Sequence, residues 1–313
     1  MGISHYIKEI GRGPRGAKPL DRAQAADLFG QVLDGSVTDL EVGAFCLAMR
    51  IKGETPEELA GFLDATAARS TRLPASSQPV VALPSYNGAR RLPVLTPLLA
   101  LLLAREGLPV LVHGAATESS RVLASDVLAA LGIAPLAAVR ALAPGEVAFT
   151  PTALLCPGLQ RLLDVRRVVG LRNPAHSVVK IMNPCNGPAV LVSSYTHAPY
   201  AESMGAVFEL MGATALLSRG MEGEVVADPR RTPEMIGFVS GQRQTLQEQQ
   251  PGTLATLPGL PEDIGVDATA AYTRAVLDGT YPVPDAIARQ VAYIRQLAEA
   301  QSSQVAPALR RSA

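Results

Sequence analysis

Tryptophan is absent from the 313 residues and aromatic side chains amount to only 4%, so the core must be assembled from Ala, Leu and Val. Cysteine is scarce as well. Cys46, Cys156 and Cys185 are odd in number and scattered, which excludes a disulfide framework and a metal-ligand spacing and makes a reduced cytoplasm the expected location. Net charge is missing too: 28 basic and 28 acidic side chains cancel. That excludes a globally basic nucleic-acid protein while leaving room for a local basic face. The most apolar run, from Leu92 to Ala104, contains Pro93 and Pro97 and stops at Arg105, short of the ~20 residues that cross a bilayer. Lys8, Arg12, Arg15 and Lys18 have no apolar stretch behind them, so no signal peptide and no membrane partner are expected.

What is present points to a folded protein of about two domains at ~150 residues each, with 48% apolar and 18% charged residues. From Leu20 to Ala68, apolar residues recur at three- and four-residue spacing in three segments that end near Gly or Ser. This predicts a packed helical unit. Thr38 and Thr55 have the position of N-caps, and Pro56 with Glu57 and Glu58 supplies a first helical turn suited to the dipole. Thr71 to Pro79 reads as a linker. Beyond it, short β-rich runs (at Val80, Leu108, Ser177, Ala189 and Ala213) alternate with helical stretches over Thr96–Glu106, Ser120–Leu131, Gly158–Val169 and Tyr200–Met211. The expected fold class is therefore α/β: a small N-terminal helical domain over 1–72, then a larger α/β domain over 73–313 with a mainly parallel central sheet flanked by helices. A final helix is expected after Pro282, and the polar stretch Thr245–Gly265 is expected to be loop.

The strings themselves are more specific. Ala44–Phe62, with the quartet Lys52-Gly53-Glu54-Thr55, resembles the end of the helical domain of anthranilate phosphoribosyltransferase and its pyrimidine nucleoside phosphorylase relatives, in glycosyltransferase family 3. The likeness continues through Val110–Gly132, Val165–Arg172 and Asn183-Pro184. That resemblance implies a homodimer joined through the N-terminal helices, a pyrophosphate held by a glycine loop reading Gly-Thr-Gly-Gly-Asp, and magnesium held by an adjacent Asp-Glu pair.

The loop's place is taken here by Pro84, Ser85, Tyr86, Asn87 and Gly88. One glycine remains of three, so close approach of backbone N–H groups to a diphosphate is expected to fail. Anchored on Gly220 and Gly223, the acidic pair becomes Val225 and Val226; Glu222 and Glu224 lie near but are not adjacent. No metal, no cofactor and no catalytic residue are expected. A remnant pocket is expected from Tyr86, Asn87, Gly88, His113, Gly114, Ser119, Ser120, Arg121 and Arg166, able to hold a small anion. Arg166 matches the family arginine that faces the anthranilate carboxylate. The plain structural readings are that His113 is hydrogen-bonded scaffold, that Ser119 and Ser120 cap a helix, and that Cys156 is a small buried residue.

Lysine occurs only at positions 8, 18, 52 and 180, so Arg supplies nearly all the positive charge and with it bidentate phosphate contacts. Arg161, Arg166, Arg167 and Arg172 fall within twelve residues; Arg90 and Arg91 sit at the altered loop; Arg219, Arg230 and Arg231 flank the altered metal site, with Lys180 expected on a strand. The pattern resembles a branch of the family, the YbiB type, that keeps the fold without the glycine loop and acidic pair. This resemblance implies binding of DNA and RNA without sequence preference through phosphate contacts. The alternative is a glycosyl- or phosphoribosyltransferase acting on a small carboxylated acceptor.

Overall fold

A computed structural model describes residues 2–13, 15–117 and 120–310, with side chains to residue 303; Ser119 lies outside the described residues. The chain runs α1 (Ser4–Ile10), α2 (Arg22–Asp34), α3 (Asp39–Lys52), α4 (Pro56–Ala67), β1 (Val80–Ser85), α5 (Thr96–Arg105), β2 (Val110–Gly114), α6 (Ala124–Ala130) and β3 (Val147–Pro151). It continues through α7 (Thr152–Leu155), α8 (Pro157–Val169), α9 (Ala175–Ile181), β4 (Ala189–Tyr195), α10 (Ala198–Leu210), β5 (Ala215–Arg219), β6 (Met235–Val239), β7 (Gln242–Gln247), α11 (Val266–Leu277) and α12 (Asp285–Arg310). Among the described residues no helix is long and apolar enough to cross a membrane.

Backbone contacts divide the chain into two compact units, one of residues 1–72 and 152–184, the other of residues 73–151 and 185–313. The first unit is helical. Thr38 and Thr55 start α3 and α4 with reciprocal capping boxes, partnered by Glu41 and Glu58, so each satisfies backbone N–H groups that a helix start leaves open. The scarce aromatics are concentrated: Phe29, Phe45 and Phe62 meet as a stacked pair at 4.5 Å and two edge contacts at 6.2 and 6.1 Å. A single boundary near residue 72 does not describe this unit, because the chain returns to it at residue 152. Helix α8 lies on α2, and α9 on α4, which buries Leu159, Leu162, Leu163, Val178 and Val179.

Helix α9 corrects the expected strand at Ser177 and with it the placement of Lys180, which is on this helix. Four apolar residues interrupted by Lys180 do not distinguish strand from buried helix. The Asn173 carboxamide accepts the Ala175 N–H at 3.0 Å and starts a helical turn here.

The second unit holds a seven-stranded sheet in the order β3-β2-β1-β4-β5-β6-β7. The first five strands are parallel and β6 and β7 close the edge antiparallel. The interior strands are buried along their length, as the continuous apolar runs require. The β6–β7 hairpin takes Thr245–Gln247 out of the expected loop; its exposed polar face hides the strand pattern. The expected linker also carries pairing, since Leu73 bridges Cys185 and Asn186 donates to the Leu73 carbonyl. Strand order reverses between β1 and β4, so the loops leaving their carboxyl ends open the crevice where α/β sheets hold ligands.

Candidate functional site

The loop after β1 is the centre of that crevice. Gly88 takes φ +68°, and a Cβ there would meet the Val122 carbonyl oxygen at 2.6 Å, so the turn accepts glycine alone. The loop exposes consecutive backbone N–H groups, but they face the chain's own carboxylates. Glu224, 1% exposed, accepts the N–H groups of Asn87 and Gly88 on Oε1 at 2.8 and 2.9 Å. Its Oε2 accepts the hydroxyls of Ser85 at 2.6 Å and Thr96, the first residue of α5, at 2.9 Å. Glu222 accepts the N–H of Arg90 at 2.6 Å and that of Arg91 at 3.0 Å. Asn87 Nδ2 and Ser194 Oγ both donate to the Gly223 carbonyl, at 2.6 and 3.2 Å.

The segment bearing these carboxylates leaves β5 as a tight hairpin in which Gly220 bridges Ala227. A Cβ on Gly220 would lie 1.8 Å from the Glu224 carbonyl oxygen. Glu222 itself holds φ +53°, a conformation that side-chain-bearing residues seldom adopt. The oxygen donors here do not fit a divalent cation. Val225 and Val226 are buried apolar side chains, and Glu222 and Glu224 are already engaged with N–H and O–H donors; a hard cation needs free oxygens.

The expected remnant pocket is largely internal packing. Tyr86, Asn87 and His113 are 4%, 4% and 1% exposed, and Gly114 is buried in β2. The Tyr86 hydroxyl and His113 Nδ1 share a hydrogen bond at 3.0 Å. Burial pushes the His113 imidazole down to about 3, so it is neutral at physiological pH, and its Nε2 has no partner among the described residues. Buried in this way, His113 has no open face for an anion. Arg121 donates to the Asn87 carbonyl at 3.0 Å. Ser120 does not cap α6, which begins at Ala124 after Leu123 without a side-chain cap. Cys156 is 1% exposed at the start of α8.

The expected arginines separate into two groups. Arg161, Arg166, Arg167, Arg172 and Lys180 belong to the helical unit; there Arg161 donates to the Leu33 carbonyl at 2.7 Å and Arg167 lies 3.5 Å from Asp164. In the α/β unit, Arg91, Arg219, Arg230 and Arg231 line one cleft of about 670 Å³ beside the hairpin, and Glu222 and Asp228 are the acids facing it. Arg90 precedes Arg91 on the loop with its side chain exposed. Arg230 pairs with Asp228 through two hydrogen bonds of 3.0 and 2.9 Å, and Arg231 stands 3.6 Å from the same carboxylate. Burial alone would raise the Asp228 carboxyl, but the Arg230 bonds and the two guanidinium charges outweigh it and hold it below the usual range. Four guanidiniums against two carboxylates leave the cleft electropositive, suited to phosphate. Sequence reasoning missed Asp228, Gln249 and Gln250 as lining residues, and missed that Glu222 and Glu224 serve the loop. The one available signal was the close Gly-x-Glu-Gly-Glu spacing.

A family model described as the helical bundle domain of the glycosyl transferase family matches residues 4–70. An uncharacterized protein of Escherichia coli, YbiB, is 37% identical over 299 residues, 93% of each chain. The anthranilate phosphoribosyltransferase of Leifsonia xyli is 31% identical over 280 residues, 86% of this chain and 78% of that one. Among solved structures, the anthranilate phosphoribosyltransferase of Thermus thermophilus superposes with a TM-score of 0.72 at 22% identity, covering 95% of this chain and 89% of that one. The Saccharomyces cerevisiae enzyme in complex with PRPP and Mg gives 0.66 at 14% identity, over 96% and 93%; both show a shared fold. The chain belongs to the anthranilate phosphoribosyltransferase-like proteins of glycosyl transferase family 3.

Proposed function

We propose that this protein binds DNA and RNA without reading sequence, by contacts between arginines and phosphates. The observation that carries the reading is the cleft of the α/β unit, where Arg91, Arg219, Arg230 and Arg231 converge beside a loop whose own anion cradle is filled. Asp228 pairs with Arg230 and stands near Arg231, so its single charge leaves Arg91, Arg219 and one of these two against Glu222 alone as the charge offered to a ligand. A basic surface of this kind holds a polyanion through counter-ion release and carries no base readout. In the helical unit, Arg161, Arg166, Arg167, Arg172 and Lys180 form a second basic set for the same task. Transfer from an activated ribose donor to a small carboxylated acceptor, the other reading, needs the N–H groups that Glu224 occupies.

The test is titration of single- and double-stranded oligonucleotides by fluorescence anisotropy across salt concentrations. Binding at low salt with a steep salt slope is expected. Arg91→Ala combined with Arg219→Ala lowers that slope on a duplex by about 0.9 for each phosphate no longer neutralised. Absence of binding at low salt ends the reading, and magnesium-dependent calorimetric binding of phosphoribosyl pyrophosphate turns it toward the enzyme.

The same proposal includes a homodimer through the N-terminal helices. Helix α3 leaves Leu40, Leu47 and Ile51 exposed at 83%, 47% and 59%, and the spacing of seven and four places them on one face. Such a stripe calls for a partner surface. Leu47→Asp is expected to halve the mass seen by light scattering; an unchanged mass removes this face from the interface.

A further inference from the structure

The loop after β1 presents its backbone N–H groups in two adjacent pairs, Asn87 with Gly88 and Arg90 with Arg91, and each pair is met by one carboxylate. Consecutive N–H groups in a turn make a concavity that binds anions. Glu222 and Glu224 are separated only by Gly223, so one short hairpin inserts two negative groups into two neighbouring concavities. The inner group is the stronger holder, since Glu224 accepts four hydrogen bonds while 1% exposed. The outer group, Glu222, is half-buried and faces the cleft. Its left-handed backbone, φ +53°, is a conformation that persists where surrounding bonds enforce it.

We propose that Glu222 and Glu224 stand in for the two phosphoryl groups of a diphosphate, so that the anion site on this loop is occupied by the chain itself and closed to phosphorylated ligands. A tethered carboxylate acts at a high effective concentration, which a free ion must exceed to displace it. The closure is a matter of occupancy by shape and hydrogen bonding. Glutamine at position 224 therefore preserves it: Oε1 still accepts the Asn87 and Gly88 N–H groups, and Nε2 donates to the two hydroxyls, which accept as readily as they donate. Alanine removes the occupant. The inference stands whether or not the protein binds nucleic acid.

Inorganic pyrophosphate is the probe, and amide hydrogen exchange at Asn87 and Gly88 of the full chain is the readout, because these two N–H groups meet Glu224 while Arg91 lines the arginine cleft. Pyrophosphate is expected to leave exchange here unchanged in the wild type and in Glu224→Gln. In Glu224→Ala it is expected to slow exchange, with binding more than about tenfold tighter at this loop than in the wild type. Slowed exchange in the wild type or in Glu224→Gln overturns the proposal, as does a folded Glu224→Ala chain whose loop ignores the ion. If the alanine variant does not fold, the first two chains still decide, since a response in either one shows an open site.

Discussion

Glu224→Ala destabilises the α/β unit by about 4 kcal/mol. The substitution strands the Asn87 and Gly88 N–H groups and the Ser85 and Thr96 hydroxyls, all of which point to a site 1% exposed. A buried donor that loses its partner costs about 1–3 kcal/mol. The low end of that range, taken for four donors, sets the figure. Glu224→Gln keeps the Asn87 and Gly88 N–H groups matched and gives each hydroxyl a donor in place of its acceptor, and costs about 1 kcal/mol or less. The chain has no Trp, so urea unfolding followed by far-UV circular dichroism is the measurement. Equal destabilisation by alanine and glutamine means that charge, and not the hydrogen-bond count, stabilises the loop.

Glu58→Ala has a comparable effect in the helical unit. The Glu58 side chain is fully buried and Lys52 is 9% exposed, with the two 2.6 Å apart. Glu58 also accepts the N–H groups of Leu20 and Thr55, each at 2.9 Å. Its removal leaves a nearly buried ammonium with the Gly53 carbonyl but no counter-charge and two backbone donors unmatched, which costs about 3–5 kcal/mol. Lys52→Met is milder, at about 2 kcal/mol, because the carboxylate retains its two backbone donors. The asymmetry is the test: if the lysine variant unfolds at lower urea than the glutamate variant, the pair and not the backbone capping is the dominant contribution. The Lys52–Thr55 quartet that carries the family resemblance thus has a structural task. It ends α3, caps α4 at Thr55 and places Lys52 on Glu58.

Where local chemistry decides, the amino-acid string was enough. Thr38 and Thr55 had to cap helices because each has a glutamate three residues on, and the β-rich runs at Val80, Leu108 and Ala189 had to be buried strands. The expectation that the glycine loop and the acidic pair are lost came from the family resemblance. Errors arose where one residue type serves two periods. The valines of α9 suit a strand until the Asn173 turn is known, and β7 disguises itself by exposing Gln242–Thr245.

Sequence alone settled the fold class and the starts of α3 and α4, and through the family resemblance it raised the expectation that a diphosphate loop is lost, since each rests on residues within a few positions of one another. Only the tertiary structure decided what replaced that loop. Glu224 reaches Gly88 across 136 positions of chain, and Arg91 meets Arg219 at one cleft because parallel strands bring distant strand ends to the same edge of a sheet. No local pattern encodes such a meeting; strand order does.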